Sequence, residues 1–305
     1  MKGDDIMKFH QLEKKYNLYG WMFVLPAVMV VFILFIYPVS VSILYSFTNK
    51  SILKKDFDFV GIKNYIFIFQ SKEYWTTFLR SISWTFLSII GQLTIGFIAA
   101  LGLNKIVKSK GLYRTLLIIP WAFPSITIAF SWKWILNGVY GVVNNTLQSM
   151  GLINEPIGFL SDPRYVIWTL LFIYTWFGSP LFMVNILAAL QTIPKDQYEA
   201  AKIDGASAWQ SFRNITIRYI RNIIGLLVVL KTVWIFNNFD FIYLLTGGGP
   251  ASKSTMLPIF IYDMAWNTKK VGVASASALT LLVFLMILVS LYFKLLDRWE
   301  GTDDR

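Results

Sequence analysis

The sequence contains no cysteine and only one histidine, His10, among its 305 residues. Disulfide frameworks, thiolate metal sites and cysteine nucleophiles are therefore excluded, and neither a Ser–His hydrolase nor a multi-histidine metal site is expected. Charged residues make up only 15% of the chain, against about 25% in an average soluble domain. We predict no catalytic residue and no metal ligand in this chain.

What the chain has in excess is apolar surface. Hydrophobic residues make up 56% of the sequence and aromatic residues 17%, which is more than a soluble domain of this length can bury. The composition therefore indicates a membrane protein. In this setting the net charge of +11 is interpreted as a guide to membrane orientation, and no nucleic-acid partner is predicted.

Six apolar stretches are long enough to cross a bilayer, which takes about 20 residues. They cover residues 19–45, 82–103, 112–136, 165–190, 223–245 and 273–296. Several contain proline, which a membrane helix tolerates where its neighbours satisfy the freed backbone groups. We predict an all-α polytopic membrane protein with six transmembrane helices in one domain, 19–296.

The distribution of lysine and arginine predicts the orientation. The inner loops and tails hold more of these residues than the outer segments, with 46–80 as the exception. We therefore expect both tails, 1–18 and 297–305, to be cytoplasmic. The first stretch is too long for the apolar core of a signal peptide and lacks an A-x-A-like site, so it is predicted to remain as an uncleaved span.

The outer segment 46–80 mixes aromatic and polar residues. It is interpreted either as a structure packed over the helix ends or as a contact surface for a soluble partner. A glycine-rich run, Gly247-Gly248-Gly249-Pro250, follows the fifth span. It lacks the spacing of a phosphate-binding loop, and Pro250 removes a backbone donor that such a loop needs. We interpret this run as a flexible turn.

The inner loop 193–220 is unusually long. Its residues predict a short helix, a break at Gly205, and a second helix from about Ser207. Tyr198, Trp209 and Phe212 are expected on one apolar side, together with Ala201 and Ala206. Such a helix could anchor in lipid headgroups, but its mixed charges favour a protein partner.

This loop resembles the EAA loop of ABC-importer membrane subunits. The matching residues are Glu199-Ala200-Ala201 and Asp204-Gly205-Ala206, followed by Phe212, Ile215 and Ile217. Tyr37-Pro38, Tyr113-Arg114, Asn237-Asn238-Phe239 and Thr246-Gly247-Gly248-Gly249-Pro250 extend the resemblance across the chain, to the carbohydrate-uptake branch with its maltose-type and glycerol-phosphate-type permeases. One departure is Arg218, where the family usually has proline. We expect Arg218 to let the helix continue into the fifth span.

The resemblance implies the type I importer permease fold and a set of partners. These are a second six-span permease, two cytoplasmic ATPase subunits that bind ATP and Mg, and an extracytoplasmic solute-binding protein. The chain itself would hold no cofactor. Its EAA loop would act as a coupling helix, with Glu199 facing a basic group of the ATPase and Gly205 permitting the turn.

One helical face of the fifth span suits a sugar. Lys231, Trp234, Ile235 and Asn238 follow at spacings of 3, 4 and 7, and they offer a cation, an indole surface and an amide. The resemblance adds Trp121, Ser125, Tyr174 and Gly178 as path residues. Asp240 is expected on the opposite face of the same helix, away from Lys231.

Alternatives remain for these residues and for the function. Lys231 could instead be a packing or snorkelling lysine, and Asn238 could bond between helices. A lysine inside a span also favours an acidic saccharide over a neutral one. The other functions considered are an importer permease for an anionic glycerol phosphate ester, an ion-driven secondary transporter and a membrane-embedded enzyme.

Overall fold

The computed structural model describes residues 20–105 and 110–300, with the side chains of 296–300 excepted. The predicted tail 1–18, and residues 301–305 of the second tail, lie outside the described residues. Within the described residues the regular structure is helical, and the strand-like pairing there is a single antiparallel bridge between Thr48 and Phe59. The all-α prediction is confirmed.

The helices follow one another with short connections. They are α1 (Gly20–Ser46), α2 (Lys63–Gln70), α3 (Lys72–Lys105), α4 (Lys110–Ala122), α5 (Ser125–Ile135), α6 (Val142–Ser149), α7 (Val166–Gln191), α8 (Lys195–Ile203), α9 (Ala208–Phe236), α10 (Asp240–Thr246), α11 (Leu257–Tyr262) and α12 (Val271–Glu300). Helices α1 and α9 each contain one π-helical turn, at Phe32–Ile36 and Phe212–Thr216.

Five of these helices, α1, α3, α7, α9 and α12, are long and apolar enough to cross a membrane. The predicted third span, 112–136, differs from a single helix. It is divided into α4 and α5, which are bent by 90° at the break before Ser125. Pro124 explains the break, because it has no N–H to donate and it disfavours helical geometry at the preceding residue.

The fifth span is also placed differently from the predicted 223–245. Helix α9 runs without interruption through Arg218, as expected, and ends at Phe236. At this end the side chain of Asn237 donates to the carbonyl of Val233 at 2.9 Å. Asparagine amides compete for backbone groups in this way and so favour helix ends. A separate helix, α10, then begins at Asp240.

Among the described residues, one compact unit consists of 20–68 together with 264–280. In it the buried side chain of Asn64 donates to the carbonyls of Ser46 and Thr48, both at 2.8 Å. The backbone N–H of Gly272 donates to Lys50 O at 3.0 Å. A Cβ at Gly272 would meet the carbonyl of Thr48 at 2.1 Å, so this close approach requires glycine. The most apolar stretch of α1 is not buried against any other described part of the chain.

Among the described residues, the second unit consists of 69–105, 110–263 and 281–300. Its main contact joins α3 and α7 along their lengths. One apolar cluster surrounds Trp84, Tyr174 and Phe241, and another surrounds Phe182 and Ile220. Small residues allow the helices to approach: a Cβ at Gly96 would lie 2.6 Å from Cβ of Phe182. Close helix contact through glycine is typical of membrane bundles.

Candidate substrate cavity and coupling loop

A cavity of about 520 Å³ opens in the second unit, where α4, α7, α9 and α10 meet. Six of the eight predicted substrate residues line it: Trp121, Tyr174, Gly178, Lys231, Trp234 and Asn238. The other two do not. Ile235 is buried in the apolar cluster around Tyr174, and Ser125 begins α5. Five further residues line the cavity: Phe177, Val233, Asn237, Phe239 and Asp240.

Lys231 is the buried cation of this cavity, with 6% of its surface exposed. Its Nζ lies 5.9 Å from the centroid of the Trp234 ring, which is within range of a cation–π interaction. Among the described residues it makes no ion pair. A buried charge without a counterion is costly, so this position suits an anionic or strongly hydrogen-bonding ligand.

The prediction for Asp240 is wrong. It assumed one continuous helix, on which Asp240 would point away from Lys231. Because α9 ends at Phe236 and α10 starts anew at Asp240, Asp240 lines the same cavity as Lys231. The signal in the sequence was the pair Asn237-Asn238, since such residues favour helix ends and turns.

Asn238 brings an unused acceptor to the cavity. Its Oδ1 is buried and has no hydrogen-bond partner among the described residues, whereas buried amides are normally paired. A ligand hydroxyl could donate to this oxygen. Asn237, by contrast, already uses its Nδ2 to bond the Val233 carbonyl.

Two cavity residues on α7 are fixed by a side chain that the sequence did not indicate. Gln92 of α3 is fully buried, and its Nε2 donates to the carbonyl of Tyr174 at 3.1 Å. A Cβ at Gly178 would lie 2.2 Å from Cδ of Gln92. The ring of Tyr174 lies 4.9 Å from that of Phe241 and 5.4 Å from that of Trp84. Gly178 therefore has a packing role as well as a place in the cavity wall.

The predicted coupling loop forms a helix, a tight turn and a second helix. Gly205 follows α8 with φ of +75°. Its N–H donates to Lys202 O at 3.1 Å, and Ala206 N–H donates to Ala201 O at 2.8 Å. These two bonds form a Schellman motif, which needs a left-handed residue and so favours glycine. Ser207 and Gln210 then form a capping box at the start of α9.

The tip of this loop is exposed. Glu199, Ala200 and Asp204 are on the surface, and Ala201 and Ala206 are half-buried. Ile203 is 87% exposed and Trp209 67% exposed. Ile203 was not singled out from the sequence. Two protruding apolar side chains beside a charged helix are typical of a surface that another protein covers.

The base of the loop is anchored. The hydroxyl groups of Tyr198 and Thr216 lie 2.8 Å apart, which ties α8 to the π-helical turn of α9. The rings of Trp209 and Phe212 stack at 5.7 Å, and Phe212 contacts Phe97 of α3 at 6.0 Å. The predicted apolar side is therefore divided: Tyr198 and Phe212 face the protein, whereas Trp209 projects outward.

The glycine-rich segment after α10 forms turns, as predicted, and hydrogen bonds hold these turns in place. Nη1 of Arg80 donates to Ser252 O at 2.6 Å and to Thr255 O at 2.9 Å. The hydroxyl of Ser254 donates to Gly249 O at 2.5 Å, and that of Thr255 donates to Gly248 O at 3.0 Å. These bonds give the segment a defined conformation.

Comparison with known proteins identifies the family. Residues 92–300 match the model of the binding-protein-dependent transport system inner membrane component. The trehalose/maltose transport system permease of Thermococcus litoralis is 31% identical over 275 residues, which cover 90% of this chain and 92% of the relative. The sulfoquinovosyl glycerol transport system permease of Agrobacterium fabrum is 29% identical, with coverage of 89% and 88%.

The fold agrees with this assignment. A chain of a bacterial ABC transporter involved in the import of the acidic polysaccharide alginate superposes with a TM-score of 0.81 at 22% identity, and the match covers 96% of this chain and 99% of that one. The predicted type I importer permease fold is confirmed. With its family match over most of the sequence, the chain belongs to the inner-membrane components of binding-protein-dependent transport systems.

Proposed function

We propose that this chain forms half of the translocation path of an ATP-driven oligosaccharide importer, the other half coming from a second six-span permease. The observation that carries the proposal is the cavity that joins Trp121, Tyr174 and Trp234 with Lys231 and Asn238. Its volume of about 520 Å³ is within the range of small-molecule sites, roughly 300–1,000 Å³. Sugar permeases among the relatives support the same substrate class.

The cavity chemistry matches a saccharide. Indole and phenol rings offer flat apolar surfaces with a polar edge, which suit the C–H faces of pyranose rings. The buried Oδ1 of Asn238 has no partner among the described residues and would accept a hydrogen bond from a sugar hydroxyl. The carboxylate of Asp240 offers further acceptors. A glycerol phosphate ester would use Lys231 but would leave these aromatic surfaces without a partner.

We further propose that the saccharide is acidic. Lys231 is buried and makes no ion pair among the described residues, and the membrane makes such a charge expensive. A carboxylate or sulfonate on the sugar would compensate it. A neutral sugar would leave Lys231 without an anionic partner, since Asp240 lines the same cavity but makes no ion pair with Lys231 in the described residues.

The exposed tip around Ile203 and Trp209 is the proposed contact with the ATPase. There α8 would act as the coupling helix, with Glu199 next to a basic group of the partner. ATP and Mg would bind to two ATPase subunits, and this chain would supply no catalytic group. On this proposal the loop and both termini would lie on the cytoplasmic side, and an extracytoplasmic solute-binding protein would deliver the sugar on the other side.

The test is uptake by the transporter complex purified from native membranes and reconstituted into proteoliposomes. We expect ATP-dependent uptake of an oligosaccharide. Trp234→Ala should weaken this uptake at least about fivefold, since an aromatic platform contributes roughly 1 kcal/mol beyond its buried area. Trp134→Ala removes an exposed tryptophan that does not line the cavity and should have little effect.

Two outcomes would contradict the proposal. Uptake driven by an ion gradient in the absence of ATP would indicate a secondary transporter. If neither an ATPase nor a second permease co-purifies with this chain, the proposed importer complex would be contradicted.

A further inference from the structure

A second cavity, of about 430 Å³, lies in the unit formed by residues 20–68 and 264–280. Four lysines line it: Lys50, Lys63, Lys269 and Lys270. No carboxylate is among its lining residues. Such a concentration of one sign of charge in a concave site favours an anion.

The walls of this lysine cavity are held in place. Asn64 and Gly272 tie its three segments together through the bonds to Ser46, Thr48 and Lys50 described above. Lys269 adopts a φ of +62°, a conformation that costs a non-glycine residue roughly 1 kcal/mol or more. Its carbonyl accepts a hydrogen bond from Ile52 N–H at 3.3 Å. Backbone strain that the surrounding structure holds in place is often found at functional sites, so the conformation of Lys269 suggests a function for this lysine.

The lysines of this cavity contact carbonyls and aromatic rings, and none makes an ion pair among the described residues. Nζ of Lys270 lies 5.1 Å from the centroid of the Phe67 ring. Nζ of Lys50 donates to the carbonyls of Lys54 and Lys55, at 3.0 and 2.8 Å. Nδ2 of the lining residue Asn49 donates to the carboxylate of Asp58 at 3.1 Å.

The lining of the lysine cavity also includes exposed apolar side chains. Leu53 and Phe67 line it and are 75% and 46% exposed. The cavity lies where α1 ends, and the exposed side chains of Ile43 and Leu44 belong to the last turns of that helix. A cationic pocket that opens onto apolar surface at the end of a membrane helix matches an amphipathic ligand, with its anion in the pocket and its chains along the helix.

We infer that the lysine cavity binds the headgroup of an anionic phospholipid. Lys63, Lys269 and Lys270 contact the phosphate, and Leu53, Phe67 and the end of α1 contact the glycerol and the first methylene groups. An acidic protein surface fits less well, because it would place charged groups against exposed Leu53 and Phe67. This inference does not depend on the transported substrate or on membrane orientation.

The test counts phospholipid molecules on the purified transporter complex. The complex is reconstituted in nanodiscs of phosphatidylcholine with a titrated fraction of phosphatidylglycerol, and bound lipid is measured by native mass spectrometry. We expect one retained phosphatidylglycerol in the wild type and roughly thirtyfold weaker retention in Lys63→Gln/Lys270→Gln. The matched control is Lys54→Gln/Lys55→Gln, which removes the same charge from exposed residues outside the cavity and should retain the lipid.

Equal lipid retention in Lys63→Gln/Lys270→Gln and in Lys54→Gln/Lys55→Gln would overturn the inference. Displacement of the lipid by millimolar inorganic phosphate would also overturn it, because it would indicate a site for free phosphate. A third variant, Lys63→Arg/Lys270→Arg, keeps the charge and should retain the lipid. It separates loss of the anion contact from misfolding, and its failure to bind alongside normal thermal stability would also contradict a phosphate site.

Discussion

Lys231 and Asp240 line one cavity from two different helices, α9 and α10. The described residues show no ion pair between them. The cavity therefore presents a cation and an anion as two separate binding groups. A sugar with one acidic substituent and several hydroxyls could use both at once.

The first prediction concerns the charge of the substrate. Lys231→Gln should reduce uptake of an acidic oligosaccharide more than tenfold, because the amide cannot replace the charge, and should change uptake of a neutral one by less than about threefold. The measurement is the initial rate of uptake into proteoliposomes. Lys72→Gln, which removes an exposed lysine outside the cavity, is the control. Equal losses for both sugars would refute the anion contact.

The second prediction concerns the contact between α3 and α7. Gly178→Ala places a Cβ 2.2 Å from Gln92 and should lower the free energy of unfolding by about 1–3 kcal/mol through overpacking. Gly102→Ala on α3 meets nothing within 4 Å and should be neutral or stabilising, because alanine favours the helix. Thermal unfolding in detergent compares the two variants.

A double variant tests the cause of that loss. Gly178→Ala/Gln92→Ala removes the side chain that the new methyl group would meet and should recover part of the lost stability. If the loss of stability in the double variant equals the sum of the losses in the two single variants, the clash with Gln92 is not the cause.

The third prediction concerns the turn of the coupling loop. Gly205→Ala should cost about 1–2 kcal/mol, because φ is +75° and the penalty falls on the backbone alone. Gly205→Asn should cost less, since asparagine tolerates this region. We expect the alanine variant to lower substrate-stimulated ATP hydrolysis by the reconstituted complex while substrate binding is retained. Equal activity of both variants would show that the turn geometry does not limit coupling.

The fourth prediction concerns the exposed tip. Ile203→Ser should reduce co-purification of the ATPase roughly tenfold, as expected for an apolar anchor in a protein interface, with little change in thermal stability because the side chain is exposed. Leu152→Ser, an equally apolar exposed change in another loop, is the matched control. Normal recovery of the ATPase with Ile203→Ser would place the contact elsewhere.

Sequence patterns predicted most of this fold because apolar length and helix-breaking residues are local signals. The break at Gly205 and the helical path through Arg218 are examples. Features that depend on tertiary contact were missed. Gln92 gives no local signal of its position against Gly178, and the fixed conformation of the glycine-rich segment depends on Arg80, which is more than 170 residues away in the sequence. Asp240 was misplaced because the helix was extended through Asn237.

Two helix breaks border the proposed substrate cavity. Trp121 lies just before the 90° bend between α4 and α5, and Asn237 to Phe239 form the break between α9 and α10. Irregular backbone at membrane depth persists only where it is buried in protein or lines a water-filled space. We therefore expect water to occupy this cavity before substrate arrives, so that an entering sugar would exchange water for protein groups without crossing a dry barrier.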